Sequence, residues 1–221
     1  ADIKEILALG LDARVMTWNR ATMRDLESSL QCGVQAVDLS VPVSDILLGV
    51  KFGGDREKMI RGLEEVLQTA QREGLYVCVG GEDASRADTR FLQEVMALGA
   101  ECGAKRFRYC DTVGILTPMK THAIVSRLVQ ARSLEIEMHT HNDFGMATAN
   151  AVAGIEAGAK SVNTTVVGLG ERAGNASFEQ ILMALTHLSD DSRKVDATKI
   201  QHLVGTVAAA ANYTIADNFP I

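Results

Sequence analysis

The chain has 221 residues, is 47% hydrophobic and carries a formal net charge of −6. That length and apolar content suffice for one sizeable core, and an acidic balance with no basic cluster argues against nucleic acid or an anionic membrane as the main partner. No apolar run approaches a membrane span and no signal peptide opens the chain. The four cysteines, Cys32, Cys78, Cys102 and Cys110, form no CxxC. They are expected to be small core hydrophobes of a reduced, cytoplasmic protein.

Taken in chain order, the pattern predicts a first helix over residues 2–9, then one unit repeated. Strand-like runs fall at 13–17, 35–40, 75–80, 105–111, 134–139 and 160–166. Helical periodicity falls between them at 21–32, 56–72, 87–101, 118–132 and 144–157, and two further helices, 176–187 and 197–211, close the chain. Cys32-Gly33, Glu73-Gly74, Cys102-Gly103 and Ala157-Gly158 place a glycine just past a helix and before a strand, which is the left-handed cap of an αβ connection. Alternation at about 30-residue spacing implies parallel βα units with right-handed crossovers. Nothing resembles a linker, so residues 1–221 are expected to form one domain.

Six strands would suit an open doubly wound sheet, but such a sheet gathers its ligand at one switch point. Here polar residues follow nearly every strand: Asn19-Arg20, Ser44-Asp45, Glu82-Asp83, Asp111-Thr112, His139 to Asp143, and Glu171 to Asn175. Convergence from many strands onto one face is how a (β/α)8 barrel builds its site. The expected fold is therefore an α/β TIM barrel, a (β/α)8 barrel lacking its first two strands.

The most informative stretch is His139-Thr140-His141-Asn142-Asp143-Phe144. Residues two apart on a strand share a face, so both imidazoles point one way. Two imidazoles at the carboxyl end of a strand make half of a divalent-metal site; the alternative is a pair of half-buried structural histidines. A bound metal would also supply the positive charge that an anionic substrate needs. Strand parity adds that Glu137 shares the His139 face and Arg108 the Thr112 face. A lone buried carboxylate is costly, so Arg108 is expected to pair with Glu137. His122, His187 and His202 lie on helices and are expected to be surface or packing residues.

Three segments in order carry a resemblance: Phe107-Arg108-Tyr109-Cys110-Asp111-Thr112-Val113-Gly114, then His139-Thr140-His141-Asn142-Asp143-Phe144-Gly145, then Gly168-Leu169-Gly170-Glu171-Arg172-Ala173-Gly174-Asn175-Ala176. Together they resemble the acyl-CoA-condensing branch of the DRE-TIM metallolyase superfamily, the branch of the homocitrate, isopropylmalate and citramalate synthases. Val79 to Asp88 and Val15 to Ala21 look most like the homocitrate synthases of nitrogen fixation. The resemblance implies a Claisen-type condensation of acetyl-CoA with a 2-oxo acid, 2-oxoglutarate in the first instance and 2-oxoisovalerate or pyruvate in the sister enzymes. The 2-oxo acid would chelate a divalent metal acting as Lewis acid, and hydrolysis of the thioester would release coenzyme A.

Roles carried over by the resemblance fall as follows. His139 and His141 match the imidazole ligands, and Asn175 matches a position that approaches the metal; this set suits Mg2+ or Mn2+, with Zn2+ as the alternative. Thr112 matches the hydroxyl donor to the substrate carboxylate, or else caps the following helix. Glu82 would orient the carbonyl or the enolate, or else pair with Arg86. Arg172 would hold substrate or its own loop. Asn142 and Asp143 would cap the helix and orient the histidines rather than bind metal, with Glu137 and Arg108 further supporting the site. Two departures matter. In the lysine-pathway relatives an arginine and a serine that grip the distal carboxylate stand where this chain has Cys78 and Gly80. The family's first strand, with its Arg-Asp pair, and its C-terminal lid with a catalytic histidine find no match here. The chain alone is therefore expected to be inactive, or to be a half-barrel completed by a second chain, and the full-length enzyme is expected to be a homodimer.

Overall fold

The computed structural model describes residues 2–188, 196–217 and 219. In order the elements are α1 (Asp2–Ala8), β1 (Met16–Arg20), α2 (Met23–Cys32), β2 (Ala36–Pro42), α3 (Asp45–Phe52), α4 (Arg56–Arg72), β3 (Tyr76–Glu82), α5 (Thr89–Glu101), β4 (Arg106–Asp111), α6 (Pro118–Gln130), β5 (Glu135–Thr140), α7 (Ala147–Glu156), β6 (Ser161–Asn163), α8 (Phe178–Leu188) and α9 (Ile200–Ala210). The six strands form one sheet in sequence order, β1-β2-β3-β4-β5-β6. Neighbours from β1 to β4 pair in parallel, with Asp38 opposite Cys78 and Gly80 opposite Arg108. An order with no reversal is that of a (β/α) barrel and not of a doubly wound sheet. The fold is α/β, with six of the eight strands of such a barrel among the described residues. No described helix is long and apolar enough to cross a membrane.

Local chemistry explains the elements. Thr22, Ser44, Asp55 and Asp88 each accept the N–H three residues on, so α2, α3, α4 and α5 start on side-chain caps. Gly33 ends α2 at φ +83, a conformation open to glycine without a Cβ penalty. Two expectations shift. The first strand runs Met16–Arg20 and not 13–17, because Asn19, polar and buried, is satisfied where it lies by the Ser29 hydroxyl. The last is shortened to Ser161–Asn163, since Val167 turns left-handed and breaks the extended run. Helix α3 was not expected. Ser44-Asp45, read in the sequence as polar residues following a strand, are its cap and first turn, and the Ser44 hydroxyl donates to Asp83.

Contacts divide the chain into two compact units, Ala1–Cys110 with Leu128–Glu137, and Asp111–Arg127 with Met138–Ile221. The first unit is packed by large side chains. Met59, Leu63, Val66, Leu67 and Ala70 of α4 lie at helical spacing, and all are buried. Burial stabilises by about 1.5–3 kcal/mol for each large aliphatic side chain. The second unit packs small residues, with Ala147, Ala151 and Ala176 around Ile181. Gly154 lies so close to Met138 that a Cβ there would stand 2.5 Å from Met138 Cγ.

Candidate active site

The second unit holds the histidines. His139 lies on β5 and His141 one residue beyond its end. Their ring centroids are 4.8 Å apart in an edge arrangement. The strand end is fixed from several sides: Thr140 donates its hydroxyl to Ala147 O, and Thr140 O accepts the Ala176 N–H. Asn142 Oδ1 accepts the Ala147 N–H at 3.1 Å, so Asn142 ties the turn to the start of α7. An isolated antiparallel bridge sets Asn175 beside His141.

Asn175 is delivered by the Gly168–Gly174 loop. Its N–H donates to Gly168 O at 2.9 Å and its Nδ2 to Leu169 O at 3.2 Å. A Cβ on Gly174 would stand 2.2 Å from Gly168 O, so only glycine permits this return of the chain.

His141 Nδ1 and Asn175 Oδ1 are both buried with no hydrogen-bond partner among the described residues. An orphaned buried polar atom costs about 1–3 kcal/mol. Burial, with Arg172 adding to it, lowers the pKa of His141, so its imidazole stays neutral. A neutral imidazole and a neutral amide oxygen, each with an uncommitted lone pair, fit a divalent cation. No group of three His, Cys, Asp or Glu side chains able to hold a metal occurs among the described residues. The candidate donors remain His139, His141 and Asn175, none of them acidic.

Thr112 follows β4 in a loop set by Asp111, a residue that sequence reasoning did not single out as a positioning group. The Asp111 carboxylate is fully buried and accepts the N–H groups of Ile115 and Leu116, both at 3.1 Å. An aspartate closing a strand before a Thr-Val-Gly turn was the available signal. Arg172 is bound to its own surroundings: Nε and Nη2 bond the Asp143 carboxylate at 2.6 and 2.9 Å, and Nη2 bonds Thr112 O at 2.7 Å. Of the two roles left open for Arg172, these bonds correspond to holding the loop. Asp143 takes the guanidinium, whose hydrogen bonds hold its carboxyl below the usual range.

Glu82, Arg108 and Glu137 belong to the first unit. Glu82 closes β3, and its carboxylate lies 2.5 Å from Lys51 Nζ; Arg86 bonds Asp83. The expected Arg108–Glu137 pair is present, with Nε 2.5 Å from Oε1. Two partners were unforeseen. Arg108 also bonds Asp38, and Arg106 takes the other Glu137 oxygen at 2.8 Å. Loss of hydration raises the Asp38 pKa to about 6 against the pull of Arg108, and Glu137 adds to the rise. Gly80 makes this cluster feasible, since a Cβ there would stand 2.9 Å from Asp38 Oδ1. Burial pushes the Cys78 and Cys110 thiols up, so both stay protonated as core hydrophobes.

The sequence profile of the family described as HMGL-like matches residues 1–207. The chain belongs to the HMGL-like family. It is 48% identical over 207 residues to Homocitrate synthase 1 of Nostoc sp., covering 94% of this chain and 55% of that protein. It is 47% identical over 209 residues to 2-isopropylmalate synthase 2 of Caldanaerobacter subterraneus subsp. tengcongensis, covering 95% and 54%. It is 38% identical to the homocitrate synthase subunit alpha of Clostridium pasteurianum over 189 residues, covering 86% and 70%. The chain thus spans about half the length of the first two of these relatives. In fold it superposes on hydroxymethylglutaryl-CoA lyase from Pseudomonas aeruginosa with a TM-score of 0.81 at 20% identity, covering 96% of this chain and 75% of that one. Members of this HMGL-like family are generally divalent-metal dependent.

Proposed function

We propose that this HMGL-like chain is the metal-holding part of an acyl-CoA-condensing synthase that joins acetyl-CoA to a 2-oxo acid, with 2-oxoglutarate as substrate and homocitrate as product. One observation carries the reading: Asn175 is bridged to His141, and His141 Nδ1 and Asn175 Oδ1 are both buried with no hydrogen-bond partner among the described residues. The metal, when bound, supplies the Lewis acidity that polarises the 2-oxo carbonyl. His139, His141 and Asn175 would hold it, and Mg2+ or Mn2+ suits a set that includes an amide oxygen. Thr112, its loop fastened by Asp111 and Arg172, donates its hydroxyl to the substrate carboxylate. In the overall reaction the acetyl methyl carbon loses a proton and bonds the keto carbon, the keto oxygen takes up a proton to become a hydroxyl, and water then cleaves the thioester to a carboxylate and free coenzyme A.

The test is coenzyme A release by the whole protein with 2-oxoglutarate, 2-oxoisovalerate and pyruvate, each with and without Mn2+. Mn2+-dependent release fastest with 2-oxoglutarate is expected. Release fastest with 2-oxoisovalerate would move the protein to the isopropylmalate branch, and no release with any of them would sink the reading. The shorter substrate has support of its own. Arg108, the buried guanidinium opposite Gly80, is already held by Asp38 and Glu137, and a 2-isopropylmalate synthase is nearly as similar as a homocitrate synthase. A second reading, that the chain works with another polypeptide, is favoured by likeness to a relative named as a subunit alpha. A different chain co-purifying in fixed ratio would support it.

A further inference from the structure

We infer that Glu179 is a positioning residue for Asn175, acting through the left-handed backbone of Val167. The inference rests on the reading of Asn175 as a metal ligand. Glu179 stands in the first turn of α8 and is fully buried. Its Oε2 accepts the Val167 N–H at 3.1 Å, while Oε1 has no hydrogen-bond partner among the described residues. A buried carboxylate with one oxygen unmatched is costly, and an apolar side chain would fill the space without that penalty. What the carboxylate adds is an acceptor for one backbone N–H.

That N–H belongs to an unusual residue. Val167 is β-branched, nearly fully buried, and sits at φ +53, ψ 20, a region that such residues avoid unless their surroundings impose it. The next residue, Gly168, offers the carbonyl that takes the Asn175 N–H at 2.9 Å. The chain of contacts is therefore short and continuous: Glu179 carboxylate, Val167 N–H, Gly168 carbonyl, Asn175 backbone. The start of α8 is itself anchored, since the Phe178 N–H donates to Thr165 O at 2.9 Å. Glu179 is thus a fixed post against which the loop entry is held in its strained conformation. The Gly168–Gly174 loop then returns to place Asn175 beside His141. Groups that orient a metal ligand typically change metal affinity by about 10–100-fold when removed.

Two variants separate reach from charge. Glu179→Asp keeps the charge but is one methylene short of the Val167 N–H; Glu179→Gln loses the charge but keeps an oxygen within reach. The measurements, on the whole protein, are hydrogen exchange at the Val167 and Asn175 amides without metal, and Mn2+ affinity by calorimetry. With Glu179→Asp, exchange at both amides should quicken by up to about 10-fold, the worth of one lost hydrogen bond, and Mn2+ binding should weaken by about 10–100-fold. Amides of the first unit should be unaffected. Glu179→Gln should match the parent on both counts. Adding Val167→Gly to Glu179→Asp should recover much of the Mn2+ affinity, because glycine takes a positive φ without strain. Parent-like exchange at Val167 in Glu179→Asp, or a Glu179→Gln variant as impaired as Glu179→Asp, would overturn the inference. A parent that binds no Mn2+ would instead remove the functional reading, while the exchange contrast would still decide whether Glu179 holds the loop.

Discussion

Each of the two units buries a polar group, and the two groups differ in charge. In the first, Asp38, Glu137, Arg106 and Arg108 gather two carboxylates and two guanidiniums that bond one another across β2, β4 and β5. In the second, His141 and Asn175 are uncharged, and each leaves a buried polar atom without a partner. The ion pairs compensate most of that charge, although Asp38 Oδ1 and Arg106 Nε have no hydrogen-bond partner among the described residues. A group of neutral donors with open lone pairs is complete only when something electropositive joins it. The charged cluster is therefore read as architecture and the neutral one as the site, although charge alone would have suggested the reverse.

The sharpest way to break this comparison is to remove one member of the charged cluster. Arg108→Met keeps an unbranched apolar stem and leaves Asp38 and Glu137 with Arg106 alone. Breaking a buried pair from one side costs about 3–5 kcal/mol, so the urea midpoint should fall steeply. Neutralising Asp38 as well, in Asp38→Asn/Arg108→Met, should cost less than the single change, because Glu137 then pairs with Arg106 and no uncompensated charge remains. A loss below about 1 kcal/mol for Arg108→Met, the scale of an exposed pair, would mean that the cluster is hydrated and not self-contained.

A second, somewhat smaller effect is a pH dependence. Burial raises the Asp38 pKa from 3.8 to about 6, so the folded state binds the proton more tightly than the unfolded one. Between those values the native protein carries more protons, and stability from this group is full below pH 4 and declines as pH rises through 6. At about 1.36 kcal/mol per pKa unit the loss is roughly 3 kcal/mol at most. Asp38→Asn should remove this decline, and the parent-minus-variant difference in unfolding free energy, followed from pH 4 to 7, is the measurement. A flat difference would show that Arg108 fully offsets the lost hydration.

Much of this was legible in the residues. The βα alternation, the glycine caps and the strand parity that pairs Arg108 with Glu137 follow from periodicity and from the cost of a lone buried charge. Asp38 and Arg106 escaped notice because parity says which face a residue takes but not which strand lies opposite. Lys51 escaped because α3, eight residues long, is too short for its period to stand out between β2 and α4. Glu179 escaped because its partner is a backbone N–H in a left-handed residue, and a valine at that position carries no sign of positive φ. Ser44 after β2 was legible as polar but not as a cap, since capping and catalysis draw on the same side chains.

The smallest expected effect tests the neutral side of the comparison. His141 is buried and its Nδ1 is unpartnered, so without metal it contributes packing but not a satisfied hydrogen bond. His141→Leu exchanges it for an apolar group that fills much the same space, and the penalty of the orphaned nitrogen disappears. Stability of the metal-free protein should then change by less than about 1 kcal/mol in either direction, as when an unmatched polar group is replaced by an apolar one. The metal response should change far more. A ligand present at 100 times its dissociation constant stabilises by about 2.7 kcal/mol, so Mn2+ should raise the parent's thermal midpoint and leave that of His141→Leu nearly where it was. If His141→Leu instead costs as much as Arg108→Met, the imidazole is a structural member of the core. The second unit would then be as self-contained as the first, and the distinction between architecture and site would fail.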